Sequence, residues 1–320
     1  MTNVSGTASK IEDLFGAHKR MLWGLSYRLT GCAADADDIV QETFVRAIHR
    51  AGPLDDAGWA PWLVRVTTNL AIDVLRRRRR QAYTGSWLPS PIESERYQES
   101  AMAKPDRGPE TRYQLIESIT FAFLLALEAL TPRQRAVLLL RDVFDYSARE
   151  VAAVLDVSEE NVRTTLHRAR RAMRDYERTK SHLPLAFQKE TQQALTQFVR
   201  CLIDQDITGV EVLLAKSVRT ITDGGGEFTA LHRPMIGREK VMHLHLSVAR
   251  RRAAGARIEL RQINGEPALL LEYAGAEAKQ APRAVMRCEL DASGRIVELH
   301  TVLATRKLTD VHFPRNESPD

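Results

Sequence analysis

With 320 residues, of which 44% are hydrophobic and 27% charged, the chain is long enough for two or three domains and has the composition of a folded globular protein. No apolar run approaches the roughly 20 residues that cross a bilayer, and the start, MTNVSGTASKIEDLF, lacks the basic-then-apolar layout of a secretion signal. The net charge is only +5, yet the arginines concentrate in Arg76 to Arg80 and after Ser158, which favours local phosphate binding over a diffuse field.

In chain order, Ile11 to about Arg50 reads as two helices. Leu14, Phe15, Met21, Leu22, Leu25 and Leu29 form one apolar stripe, and Gly31 stops it. The next helix begins near Asp35. Ile39, Val40, Phe44, Val45 and Ile48 are its expected buried face, and Asp35, Asp37, Asp38, Gln41 and Glu42 its outer one. The dipole explains part of that acidity. An acidic patch in a chain with basic clusters elsewhere also suggests a basic partner.

After Gly52-Pro53 the block WAPWLVRVTTNLAIDVLRRRRRQ is helical. Trp62, Leu63, Val66, Leu70, Val74 and Leu75 form the expected packed stripe. Trp59 or Trp62, with Thr67, Thr68, Asn69, Asp73 and Arg76, falls on or near the exposed side. Aromatic, amide and guanidinium groups together suit single-stranded nucleic acid. A core tryptophan beside a basic helix end explains the same residues. From Gln81 to Glu110 glycines and prolines punctuate a polar run, as in a linker, and Trp87-Leu88-Pro89 inside it suggests that the linker packs on something.

Helix resumes near Thr111 with LIESITFAFLLALEAL, then TPRQRAVLLLRDVF, where Thr131 caps and Pro132 takes the first position. The stretch Tyr146 to Tyr176 reads as two short helices joined by a tight turn. Ser158 caps the second, Glu159 and Glu160 occupy its first turn, and Val162, Leu166, Ala169 and Met173 form its inner face. The other faces carry Asn161, Arg163, Thr164, Thr165, His167, Arg168 and Arg171. This suits a helix-turn-helix whose second helix enters the major groove.

A joint at Ser181 to Pro184 precedes a region of different texture. Helices near Leu185 to Asp204, Val210 to Ala215 and Arg238 to Arg251 accompany candidate strands at Val218 to Thr222, Ile258 to Ile263, Ala268 to Tyr273, Ala284 to Leu290 and Ile296 to Leu303. Asn264-Gly265 and Asp291 to Gly294 are hairpin signals. The expectation is helices beside an antiparallel sheet that curls into a cone with an interior pocket. Cys32, Cys201 and Cys288 lie far apart and are odd in number, so no disulfide framework or metal site is expected, and no cofactor.

The segments DADDIVQETFVRAI, WLVRVTTNLAIDVLRRRRR and LTPRQRAVLLLRDVFDYSAREVAAVLDVSEENVRTTLHRARRAM, in this order, resemble bacterial sigma factors of the extracytoplasmic-function group. The C-terminal part looks like a SnoaL-like member of the cone-shaped NTF2-like fold. The resemblance implies a multidomain chain: two all-α sigma domains at 1–82 and 111–180, a linker at 83–110, a joint at 181–185 and an α+β cone at 186–320. It implies that Asp35, Asp37, Asp38, Gln41 and Glu42 dock on the clamp of core RNA polymerase, with the clamp and flap regions of the polymerase as partners. Trp62, Asn69, Asp73, Arg76 and Arg77 would read the −10 element. Ser158, Asn161, Arg163, Thr164, Thr165, His167, Arg168 and Arg171 would read the −35 element.

Members with such an extension carry a tryptophan-leucine-proline motif in the linker and an aspartate-triple-glycine motif in the extension. Here these are Trp87, Leu88, Pro89 and Pro91, and Asp223, Gly224, Gly225 and Gly226, expected to meet in a regulatory contact. Ser90 stands where the family usually has glutamate and Glu227 where it has lysine, and a third motif survives as Ala304 to Leu308. The implied function is a non-enzymatic, cytoplasmic sigma factor regulated in cis, with a small-molecule ligand in the cone as an open question. Asp206, Asp223, His232, His243 and His245 are the acid–base groups that an enzymatic cone would need to gather. The competing readings are a helix-turn-helix regulator with a ligand-sensing domain, and a bifunctional protein with an enzymatic cone.

Overall fold

The computed structural model describes residues 4–50, 56–81, 83–93, 118–174, 185–275 and 277–313. Linker residues 94–110, the expected helix start at Thr111 and the joint at 181–184 lie outside these. The chain divides into two compact units: Met1–Ala82 with Glu95–Lys180, and Tyr83–Ser94 with Ser181–Asp320.

In the first unit, α1 (Val4–Thr30) ends at Gly31, whose φ of 67° is left-handed and suits glycine. α2 (Ala33–His49) packs on α1 and on α3 (Asp56–Arg80). The inward face of α2 is Ala36, Ile39, Val40, Thr43, Phe44 and Ala47. Val45 and Ile48, expected in that face, are 46% and 57% exposed. At about 100° per residue they fall on the side away from Ala36, Val40 and Ala47.

α3 is corrected in the same way. Its core residues are Leu63, Val64, Ala71, Ile72 and Leu75, while Val66, Leu70 and Val74 are only half-buried. Thr67 and Thr68, expected outside, are fully buried, and the Thr67 hydroxyl lies 3.1 Å from that of Thr43. Trp59 is buried, and Trp62 packs edge-on against it with its ring 5.0 Å from the Arg50 guanidinium.

The same unit holds α4 (Phe121–Ala126) with a 3-10 turn, α5 (Pro132–Leu138), α6 (Ala148–Leu155) and α7 (Glu159–Ala172). Capping boxes at Thr131 and Ser147 satisfy the first turns of α5 and α6. The helix expected to run on to Phe144 instead widens into a π turn at Leu139–Val143. α3 contacts both α5 and α6. Buried arginines join these modules: Arg135 donates to Leu29 O (2.8 Å) and Glu128 (2.7 Å), Arg78 to the same Glu128 (2.7 Å), and Arg28 to Ser118 (2.7 Å). Burial lowers the pKa of Arg135, and the Glu128 carboxylate partly offsets that.

In the second unit, α8 (Leu185–Ile203), α9 (Ile207–Leu213) and α10 (Arg238–Arg252) pack on a six-stranded sheet ordered β2-β1-β6-β5-β4-β3. The strands are β1 (Leu214–Asp223), β2 (Met235–Ile236), β3 (Arg257–Ile263), β4 (Glu266–Glu272), β5 (Arg283–Leu290) and β6 (Ile296–Val302). β1 begins earlier than expected, where α9 ends, and β2 was not anticipated because two residues carry no alternation. The sheet is mixed and not purely antiparallel: β1 runs parallel to β6.

Leu195, Phe198, Leu202, Val241, Leu246, Leu269, Met286 and Leu299 fill the space between the helices and one sheet face. His245 lies within it, bonded to Thr220 (3.1 Å) and edge-on to Phe198. Burial pushes His245 down to about 4, and burial with the Arg287 charge does the same to His300. Both histidines are therefore neutral near pH 7.

The unfolded chain takes up these protons near pH 6.5 and the folded chain only near 4. Stability is therefore complete above about pH 6.5 and falls as pH drops towards 4, by up to about 3 kcal/mol per histidine. Calorimetry of the full chain between pH 7.5 and 4 is expected to show this decline, with a shallower slope in His245→Gln.

Candidate functional site

α7 presents a polar surface over an apolar back. Ser158 accepts from Asn161 N (3.2 Å), Glu159 pairs with Arg163 (2.8 Å), and Val162, Leu166, Ala169 and Met173 are buried. Ser158, Asn161, Arg163, Thr164, His167, Arg168 and Arg171 are exposed, and Thr165 is half-buried with its hydroxyl on Asn161 (3.2 Å). Arg170 is committed elsewhere, forking onto Asp142. The turn before α7 is fixed by Asp156 at φ 54°. The surface therefore offers a fork-rich helix to base edges and phosphates.

On α3, Trp62, Asn69, Asp73 and Arg76 share one stripe at three- to four-residue spacing. Asn69, Asp73, Arg76 and Arg77 are exposed and Trp62 is half-buried. On α2, Asp38, Gln41 and Glu42 are exposed beside Val45 and Ile48, while Asp35 and Asp37 are half-buried and Asp37 accepts from Trp23 Nε1 (2.9 Å). The acidic face is thus also partly apolar, which the sequence reading missed by placing Val45 and Ile48 inside.

In the second unit the linker segment and the glycine loop meet around one carboxylate. Asp223, at the end of β1, is fully buried. It accepts from Tyr83 OH (2.6 Å), Leu88 N (2.7 Å), Gly225 N (3.0 Å) and Lys307 Nζ (2.5 Å). Lys307 Nζ also donates to Leu88 O and lies 4.2 Å from the Trp87 ring centroid and 4.9 Å from that of Tyr83. Both backbone polar groups of Leu88 are therefore held by the same ion pair.

The glycines are explained by crowding. A Cβ on Gly224 would meet Phe228 O at 2.6 Å, and one on Gly225 would meet the Ala304 side chain at 2.8 Å, with Gly225 and Gly226 at φ 63° and 77°. The loop thus brings its backbone close to Phe228 and Ala304.

From this latch the linker runs on to the turn between β3 and β4. Leu88, Pro89, Ser90, Pro91 and Ile92 are all buried. Ile92 exchanges bonds with Asn264, and Glu93 bridges to Ile263 and pairs with Arg261 (3.0 Å). Glu227, standing where the family motif has lysine, accepts from the backbone and hydroxyl of Thr305. Lys307 was the member of this contact that sequence reasoning undervalued, because Ala304 to Leu308 matched its motif so loosely. The lysine beside Leu308 was the available signal.

The acid–base candidates do not converge. Asp206 caps α9, His232 and His243 are exposed, His245 is in the core and Asp223 is in the latch. Glu289, Glu298 and His300 lie close enough together to hold a metal, but Arg287 and Arg219 already neutralise them. Burial pushes the Cys288 thiol up to about 12, and all three cysteines are buried.

Residues 14–81 match the family Sigma-70 region 2, and residues 120–173 match Sigma-70, region 4. ECF RNA polymerase sigma factor SigJ of Mycobacterium tuberculosis is 31% identical over 256 residues, covering 79% of this chain and 78% of that protein. This chain is an ECF sigma factor. As such it binds core RNA polymerase and directs promoter-specific initiation. SigG of the same organism is 35% identical over 222 residues, covering 64% of this ECF sigma factor and 60% of SigG. The crystal structure of SigJ superposes with a TM-score of 0.65 at 25% identity over 94% of this chain and 98% of that one, so the helical modules and the α+β cone recur together.

Removing one member of a buried ion pair leaves the other uncompensated, at a cost of about 3–5 kcal/mol. Asp223→Asn is expected to destabilise the second unit by about this amount, and Asp223→Asn with Lys307→Met to recover part of it. Urea unfolding read through tryptophan fluorescence measures both.

Proposed function

We propose that the C-terminal cone regulates this sigma factor in cis by gripping the linker between its two promoter-reading modules. The observation that carries the reading is the Asp223–Lys307 pair closing on both backbone groups of Leu88. The −35 and −10 elements are about 25 base pairs apart, or roughly 85 Å at 3.4 Å per pair. The packed contacts of α3 with α5 and α6 are incompatible with reading both at once. The modules must separate, and the linker governs how easily they do so. Holding the linker segment Tyr83 to Glu93 on the cone restrains that separation.

Within this reading the domains keep the bounds 1–82, 111–180 and 186–320, with 83–110 as linker. Asp35, Asp37, Asp38, Gln41 and Glu42 face the polymerase clamp. Trp62, Asn69, Asp73, Arg76 and Arg77 serve the −10 element, and Ser158, Asn161, Arg163, Thr164, Thr165, His167, Arg168 and Arg171 the −35 element. Trp87, Leu88, Pro89 and Pro91 with Asp223, Gly224, Gly225 and Gly226 form the regulatory contact. The cone is a regulator and not a catalyst, because its acid–base groups are dispersed, and the protein works in the cytoplasm where the polymerase is. A small-molecule ligand of the cone would lie in its open cleft of about 770 Å³, lined by Arg257, Tyr273, Arg283 and Leu308, since Phe198, Val241, Leu269 and Leu299 already pack between the helices and the sheet.

In vitro transcription with purified core polymerase tests the reading. The Asp223→Asn, Lys307→Met protein is expected to give more transcript than the parent at equal core binding; equal transcript would remove the latch from regulation. Charge reversal at Asp38 and Glu42 together is expected to weaken core binding about tenfold or more, since both are exposed and Glu42 pairs with Arg46 within its own helix. Unchanged binding by fluorescence anisotropy would remove the clamp assignment.

A further inference from the structure

We propose that the cleft between α3 and the start of α5 is a binding site for a chain of linked phosphates. It is an open cavity of about 740 Å³ lined by Arg76, Arg79, Arg80 and Arg133, with Asp73 as its acidic group and Thr131 at its edge. Four guanidinium groups against one carboxylate leave three positive charges in excess. Guanidinium forks match phosphate oxygens two at a time, and several of them on one wall suit negative charge spread along a chain better than one compact anion.

Two of the arginines are already oriented. Arg79 donates to Leu130 O (2.5 Å), and Arg76 is steered by Asp73 at 3.3 Å. Arg80 and Arg133 are exposed. The carbonyl end of α3 helps to hold its arginines, but a helix end carries only about half a charge and leaves most of the excess unmet.

The two walls come from different modules, since Arg76 to Arg80 belong to the first and Thr131 to Arg133 to the second. Arg78 on Glu128 and Arg79 on Leu130 tie them together. The cleft therefore exists only while the modules are packed, and a ligand in it favours that arrangement by linkage. The consequence for transcription rests on the function proposed above. The site itself does not, and its test reads binding alone.

The experiment is calorimetric titration of the full chain with sodium triphosphate at about 50 mM salt, where screening is modest. Saturable binding is expected, weakened about tenfold in Arg133→Ala through loss of a charge-assisted contact. Arg149→Ala removes the same charge from an exposed position in the same module and is expected to leave binding within about twofold. Glu128→Gln, checked for folding by circular dichroism, separates geometry from charge. Simple electrostatics makes it bind more tightly, whereas loss of the tie between the walls makes it bind more weakly. Absence of saturable binding, equal losses in Arg133→Ala and Arg149→Ala, or tighter binding in a folded Glu128→Gln would overturn the site. A single-stranded oligonucleotide identifies the source of the phosphates. If it displaces triphosphate and loses affinity in Arg133→Ala, the cleft is part of the promoter-DNA surface proposed above and the polyphosphate site is overturned; if its binding ignores Arg133→Ala, the site is for a free polyphosphate.

Discussion

The buried ion pair of Asp223 and Lys307 is the constraint from which the arrangement of the second unit follows. A carboxylate with no solvent exposure must be paired and hydrogen-bonded, or it would be neutralised instead. Four donors reach it, and they come from the linker, the glycine loop and the C-terminal turn. Three stretches far apart in the chain are thereby made mutually dependent. The aromatic rings of Trp87 and Tyr83 shield the ammonium group, which strengthens the pair by keeping water away.

A second set of buried charges does the corresponding work in the first unit. Arg28 and Arg135 are almost wholly enclosed, and among the described residues they donate to backbone carbonyls, Ser118 and Glu128. Hydrogen bonds to carbonyls and a hydroxyl are ones that water or another partner can replace. Under the proposed function these modules pack in one state and part in another, and such a junction suits that. The two units thus use buried charge differently: one pair closes a latch around the linker, and one arginine-rich seam closes the promoter-reading modules on each other.

The surfaces with the plainest chemistry were readable directly. The caps at Thr131 and Ser158, the inner stripe of α7 and its arginine-rich outside follow from local rules that hold in any context. The face of α2 was readable only in part. Its acidic residues were placed outside, but Val45 and Ile48 were drawn inward because hydrophobicity was counted without knowing where the neighbouring helices lie. Thr67 and Thr68 failed for the opposite reason: small side chains can be buried when a helix packs closely, and Thr43 offers the Thr67 hydroxyl a partner.

By itself the sequence determined the helix boundaries at caps and glycines, the helix-turn-helix, the change to an α+β texture after Pro184 and the two linker-related motifs, because these are written in residues near one another. Only the tertiary structure decided that Lys307 is the partner of Asp223, that β1 runs parallel to β6, and that Glu227 turns to Thr305 in place of a lysine contact. These depend on groups separated by up to 219 positions, as between Leu88 and Lys307, and no local pattern of polarity or propensity encodes which distant charge a buried carboxylate will meet. The pairing is selected when the sheet forms and desolvates Asp223, so it belongs to the fold and not to any stretch of the chain.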